Sequence, residues 1–130
     1  MPRSDGAAPL SHGLDHVNIR TADLARTTDF FVNVLGLEVG ARPAFGFPGA
    51  WLYAQGKDVV HLIQVAEPPG ASERSALDHF AFDVSDFDEA LRRVVATGLK
   101  FYELKVPGAT VRQIFVTDAN GVSIELNCKA

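Results

Sequence analysis

The chain holds a single cysteine, Cys128, so no internal disulfide is available and a cross-linked secreted scaffold is excluded. Clustered cations are missing too. Twelve basic residues stand against 16 acidic ones, for a formal charge of −4, and no basic run exceeds the pair Arg92–Arg93. Nucleic acid is held mainly through clustered cations on its phosphates, so it is not an expected partner. No apolar stretch nears the roughly 18 residues that would cross a bilayer, and the opening MPRSDGAAPLSHG has no apolar signal segment. A cytoplasmic location with no membrane partner is the expectation.

What is present is 130 residues, 47% of them hydrophobic and 22% charged, which suffices for one core and is too short for two domains. The chain is also written twice. LDHVNIRTADLARTTDFFVNVLGL from Leu14 and LDHFAFDVSDFDEALRRVVATGL from Leu77 align at a constant offset of 63, which falls to 62 by Gly36 and Gly98. Each copy opens with strand-like alternation (Leu14 to Arg20, Leu77 to Val84). It then turns to helical spacing at Leu24, Thr28, Phe31 and Leu35, and at Phe87, Leu91 and Val94. Thr21 and Ser85 are the expected N-caps, and Gly36 and Gly98 suit the left-handed residue that ends a helix.

Three short β-rich runs follow each glycine: Leu37 to Ala41, Ala50 to Ala54 and Asp58 to Val65, then Leu99 to Val106, Thr110 to Thr117 and Val122 to Asn127. The expected fold is α+β, with two βαβββ modules forming a curved, cup-like mixed sheet and helices on its outer face. Residues 1–130 form one domain, with module one at about 14–65, a Pro/Ser/Gly-rich linker at 66–76 and module two at about 77–128. About 55 residues bury too little surface to stand alone, so the modules must share a core or pair through a dimer.

The repeat carries His16 onto His79 and His61 onto Glu125, so four metal-competent side chains occupy two pseudo-equivalent pairs. Strand alternation places Asn18 and Arg20 on the face of His16, with Ser123 and Asn127 beside Glu125. If the first and last strands of the two halves meet, three imidazoles and one carboxylate converge. That N₃O set suits one divalent transition metal (Zn, Ni, Fe, Co or Mn) and is too nitrogen-rich for a typical Ca²⁺ or Mg²⁺ site. Trp51 and Tyr53 share a strand face and are candidates for an apolar wall against a small-molecule substrate.

The sequence of motifs DHVNI, HLIQ, DHFAF and FVTDANGVSIEL resembles the vicinal oxygen chelate superfamily, which includes glyoxalase I, extradiol dioxygenases, fosfomycin-modifying enzymes and bleomycin-binding proteins. The resemblance runs from Leu14 to about Asn127 and implies a metal cup with ligands at His16, His61, His79 and Glu125, commonly completed by homodimerisation. It also implies lyase or isomerase chemistry of the glyoxalase kind, with Glu125 as the proton-transferring base. Arg20 stands where glyoxalase I holds a carboxylate of its substrate, and Arg112 is a second candidate. The resemblance leaves two alternatives. They are an extradiol dioxygenase, against which Phe115 in place of the expected Tyr counts, and a metal-free sequestering protein, against which the four ligand residues count because such a binder has no need of them together.

Overall fold

In a computed structural model, residues 8–108 and 110–129 are described; the first seven residues of the opening segment lie outside them. Strand β1 (Val17–Thr21) leads into helix α1 (Leu24–Leu35), followed by β2 (Glu38–Gly40), β3 (Gly49–Ala54) and β4 (Lys57–Gln64). The second half repeats the order with β5 (His79–Val84), α2 (Phe87–Thr97), β6 (Phe101–Lys105), β7 (Val111–Thr117) and β8 (Ser123–Lys129). Each half forms its own four-stranded mixed sheet, ordered β1-β4-β3-β2 and β5-β8-β7-β6. The first strand runs parallel to the last, and the remaining pairs are antiparallel. No helix among the described residues is long and apolar enough to cross a membrane.

Helix ends differ from the expectation at one terminus only. The N-caps are Asp23 and Asp86, whose carboxylates accept from Arg26 N and Glu89 N at 3.0 and 3.1 Å, rather than Thr21 and Ser85. A carboxylate there also complements the positive end of the helix dipole. Thr21 is instead fully buried at the end of β1, where its hydroxyl meets Thr27 and Asn120. Gly36 and Gly98 do close the helices, at φ 71° and 73°. A side chain other than glycine is strained at such angles.

The buried face of α1 is Thr27, Phe30, Phe31 and Val34, one position round from the stripe expected at Thr28 and Leu35. Leu52, Val60 and Leu62 meet it from the first sheet, while Ile114, Val116, Ile124 and Leu126 form the equivalent layer under α2. The two layers join into one core because α1 packs on α2, and Phe31 reaches Phe82 of the other half with ring centroids 6.2 Å apart. A buried polar clasp adds to the joint. Thr21 donates to Asn120 Oδ1 at 2.7 Å, and Asn120 Nδ2 donates to Thr27 and Asp118. Burial pushes the Asp118 carboxyl up. The linker is packed as well, since the hydroxyl of Ser72 accepts from Ser123 N and donates to Asp78 O.

With the helices on one side, the opposite face of each sheet is left open, and there the candidate ligands stand.

Candidate metal centre

The first open face is built across three strands. His16 precedes β1, and in the parallel ladder Asn18 registers with His61, which registers with Trp51 on β3. The three rings stack in a row: His16 on His61 at 3.8 Å and 17°, His61 on Trp51 at 4.0 Å and 8°. His61 is thus sandwiched and 8% exposed. Its Nε2 lies 2.6 Å from Asp58 Oδ2. On a regular strand, residues three apart point to opposite faces. Here the ladder shifts between Leu52 and Tyr53, leaving Val59 as the extra residue of a bulge, and Asp58 turns onto the face of His61.

Asn18 and Arg20 are exposed on the same side of β1, as the alternation implies. Tyr53 turns its hydroxyl to Ala41 O at 2.6 Å and lays its ring against Gly40, where a Cβ would stand 2.5 Å from Tyr53 Cε1. It ties β2 to β3. Arg112, in contrast, faces the helix layer, its guanidinium 3.6 Å from the centroid of the Phe87 ring and on the opposite side of the sheet from Glu125.

The second open face holds a charged pair. His79 Nε2 stands 3.1 Å from Glu125 Oε1, and the other carboxylate oxygen accepts from Gln113 Nε2 at 2.8 Å. The ring of His79 meets Phe115 edge-on at 5.2 Å, and Phe115 stacks on Tyr102.

Each of the three histidines has an aspartate. Asp15 Oδ2 is 2.7 Å from His16 Nδ1, Asp78 Oδ2 is 2.8 Å from His79 Nδ1, and Asp58 takes His61 at Nε2. Hydrogen bonds from Lys57 and His16 hold the Asp15 carboxyl down at about 2; His61 lowers Asp58, and His79 lowers Asp78. An ionised carboxylate has no proton to give, so the facing ring nitrogen is the donor. His16 and His79 therefore keep Nε2 for another partner, while His61 keeps Nδ1.

At His79, Nε2 meets a carboxylate oxygen, and two acceptors at 3.1 Å repel unless a cation or a proton lies between them. Without a metal the proton fills that role: hydrogen bonding to Asp78, with the nearby Glu125 charge, raises the His79 pKa. Nitrogen and oxygen donors so disposed fit a divalent transition metal, with Asp78 and Gln113 orienting them.

The fold brings His16 to His61 and His79 to Glu125, and does not bring the two pairs together within one chain. Among the described residues no three His, Cys, Asp or Glu side chains form a metal-sized group. A groove of about 1060 Å³ between the end of α1 and the start of α2 is lined by Leu35, Ala54, Asp83, Asp86 and Arg93 and by none of the four candidate ligands. Asp15 and Asp78 were legible as the repeated Asp-His dipeptide. Asp58 and Gln113 were not, because one needs the bulge and the other a cross-strand register.

Duplicated βαβββ halves, each turning a histidine-centred pair to an open sheet face, define the class of protein. The chain belongs to the Glyoxalase/Bleomycin resistance protein/Dioxygenase superfamily, whose family model matches residues 13–126. It is 27% identical over 118 residues to the protein YaeR of Escherichia coli (strain K12), covering 85% of this chain and 92% of that one. Among solved structures it is similar to the glyoxylase/bleomycin resistance protein/dioxygenase domain from Frankia sp. EAN1pec, with TM-score 0.76, 20% identity and 94% of each chain covered. It is also similar to the fosfomycin resistance protein FosX from Listeria monocytogenes, with TM-score 0.75, 20% identity, and 93% and 96% covered.

Proposed function

We propose that the protein is a divalent-metal-dependent enzyme of glyoxalase-like type. It works as a homodimer whose sites each take His79 and Glu125 from one chain and His16 from a second, with His61 facing the same opening. The observation that carries this is the 3.1 Å approach of His79 Nε2 to Glu125 Oε1, each atom oriented by a further hydrogen bond. Two donors make half a site, and the first open face has the complementary half. Leu14 and Leu77, repeat-related and 81% and 73% exposed, supply apolar surface that a second copy would cover. A FosX variant has been crystallised with Mn(II) and a dihydroxypropylphosphonic acid, which supports a divalent ion as cofactor and an oxygen-rich small substrate.

The bound ion would polarise substrate oxygens and stabilise negative charge developing on them. Glu125 takes a carbon-bound proton, being the only carboxylate of the four, and Gln113 holds its other oxygen in place. Arg20 reaches from β1 to anchor a substrate carboxylate, for which its planar fork is suited, and Asn18 and Trp51 line the approach. The reaction class is lyase or isomerase chemistry on a small oxygenated substrate, including thiol conjugates.

Elemental analysis should find about one ion per chain. Neither His16→Ala nor Glu125→Ala protein should bind it, while an equal mixture, allowed to exchange subunits, should recover about one quarter of the wild-type complement through hybrid dimers. A strictly monomeric chain with a full complement of metal would overturn the two-chain site. Turnover is then sought with the glutathione hemithioacetal of methylglyoxal, fosfomycin, catechols and acyl-CoA thioesters. Oxygen-dependent catechol cleavage would place the protein among the dioxygenases, and tight retention of an organic ligand without metal would place it among the sequestering proteins.

A further inference from the structure

His61 differs from the other two histidines in which ring nitrogen it keeps free and in being covered on both ring faces. Its lone pair sits on Nδ1, whereas those of His16 and His79 sit on Nε2. Its ring is clamped between His16 and Trp51, with interplanar angles of 17° and 8°. An imidazole binds a metal along a lone pair in its own plane, at about 2.0–2.1 Å. Two rings stacked 3.8 Å apart hold their lone pairs in nearly parallel planes, which do not meet at that distance from both rings. His16 and His61 as placed are therefore poor ligands for one ion.

Nor is His61 Nδ1 sealed away. Among the described residues it has no hydrogen-bond partner, yet the only side-chain nitrogen or oxygen among them that is both sealed and unpartnered is Arg42 Nε. A neutral ring nitrogen that keeps a reachable lone pair is a hydrogen-bond acceptor for whatever enters the open face.

We infer that His61 is a substrate-contacting acceptor rather than a fourth metal ligand, and that Asp58 is the positioning residue that fixes its acceptor nitrogen. The substrate class this selects is a chelating compound that offers a hydroxyl O–H beside the oxygen it gives to the ion. The inference rests on the metal site proposed above and assigns what that reading leaves open, the role of His61 and the chemistry of the group that meets it. The bulge at Val59 then has a functional consequence, since without it Asp58 would face the helix layer and leave the His61 tautomer free.

The test uses full-length protein loaded with Co(II) and two small probes, glycolate, which chelates and keeps an O–H, and methoxyacetate, which chelates without one. His61→Phe is the informative variant because it keeps a flat aromatic ring between His16 and Trp51 while removing both ring nitrogens. It should bind Co(II) within about threefold of wild type and with the same d–d absorption, whereas His79→Ala should lose at least about 100-fold. The preference for glycolate over methoxyacetate should fall about tenfold relative to wild type in His61→Phe, the size of one good hydrogen bond. In Asp58→Ala it should fall about threefold, because the tautomer is freed while the ring stays. Loss of Co(II) affinity in His61→Phe comparable to that of His79→Ala would make His61 a ligand and overturn the inference. So would an unchanged glycolate preference in His61→Phe. Failure of the wild-type protein to bind Co(II) would instead overturn the metal site, and this inference with it.

Discussion

The two halves share one architecture and carry opposite chemistry on their open faces. In the first half, three flat rings stack across β1, β4 and β3, and the cationic residues Arg20 and Lys57 stand nearby, Lys57 paired to Asp15 at 2.8 Å. In the second, the same positions hold an imidazole against a buried carboxylate, with Phe115 and Tyr102 as flank. Duplication fixed where side chains stand, and divergence set what they are: Glu125 occupies the repeat position of His61, and Asp83 that of Arg20. One half is therefore equipped to grip a cation electrostatically and the other to present a ring nitrogen and a cation to a ligand. Neither does both.

The comparison can be broken most severely at the joint. Phe31 is fully buried and is the ring that reaches Phe82 of the other half, so Phe31→Ala should destabilise the fold by about 3–5 kcal/mol, read from denaturant midpoints. An unchanged midpoint would mean that the halves do not depend on one another. The polar clasp is the next target. Asn120→Ala removes the shared partner of Thr21 and Thr27 and leaves buried groups unsatisfied, at a cost of about 1–3 kcal/mol in the same measurement.

The charged character of the second half is sharpened by pH. Because the His79 pKa is raised, its proton competes with the ion over a window reaching above its ordinary value of 6.5. Metal affinity should fall as pH drops through the raised value, by up to about tenfold per unit, in a calorimetric titration. For the metal-free fold the sign is opposite: the stabilisation from protonated His79 is fully present below pH 6.5 and is lost as pH rises through the raised value. A flat affinity profile from pH 6 to 8 would contradict the pairing with Glu125 and Asp78. A smaller effect is expected of Gln113→Leu, which leaves Glu125 in place but removes the bond orienting it, lowering affinity about tenfold with little change in melting temperature.

Much of this was legible in the primary structure because it depends on local period. The constant offset from Leu14 to Leu77 implied two βαβββ units, Gly36 and Gly98 marked both helix ends, and alternation along β1 put Asn18 and Arg20 on the side away from the core. Even the matched places of His16, His79, His61 and Glu125 followed from spacing alone. Where spacing misled, tertiary placement was the cause: Thr21 has the chemistry of an N-cap, but it is buried at the end of β1, where its hydroxyl donates to Asn120 and accepts from Asp23 N, and the helix starts two residues later with Asp23 as its cap.

Spacing assigns a residue to a face of its own strand and says nothing about which sheets meet, so the separation of His16 and His61 from His79 and Glu125 emerged only when α1 packed on α2 and turned the two sheets into distinct surfaces. The identity of the free nitrogen on each ring was likewise a tertiary decision. Asp58 reaches His61 through a bulge that no periodicity marks, and stacking on Trp51 requires a cross-strand register. Periodic burial is encoded residue by residue, whereas the direction of a lone pair is set by contacts between strands that only the folded chain brings side by side.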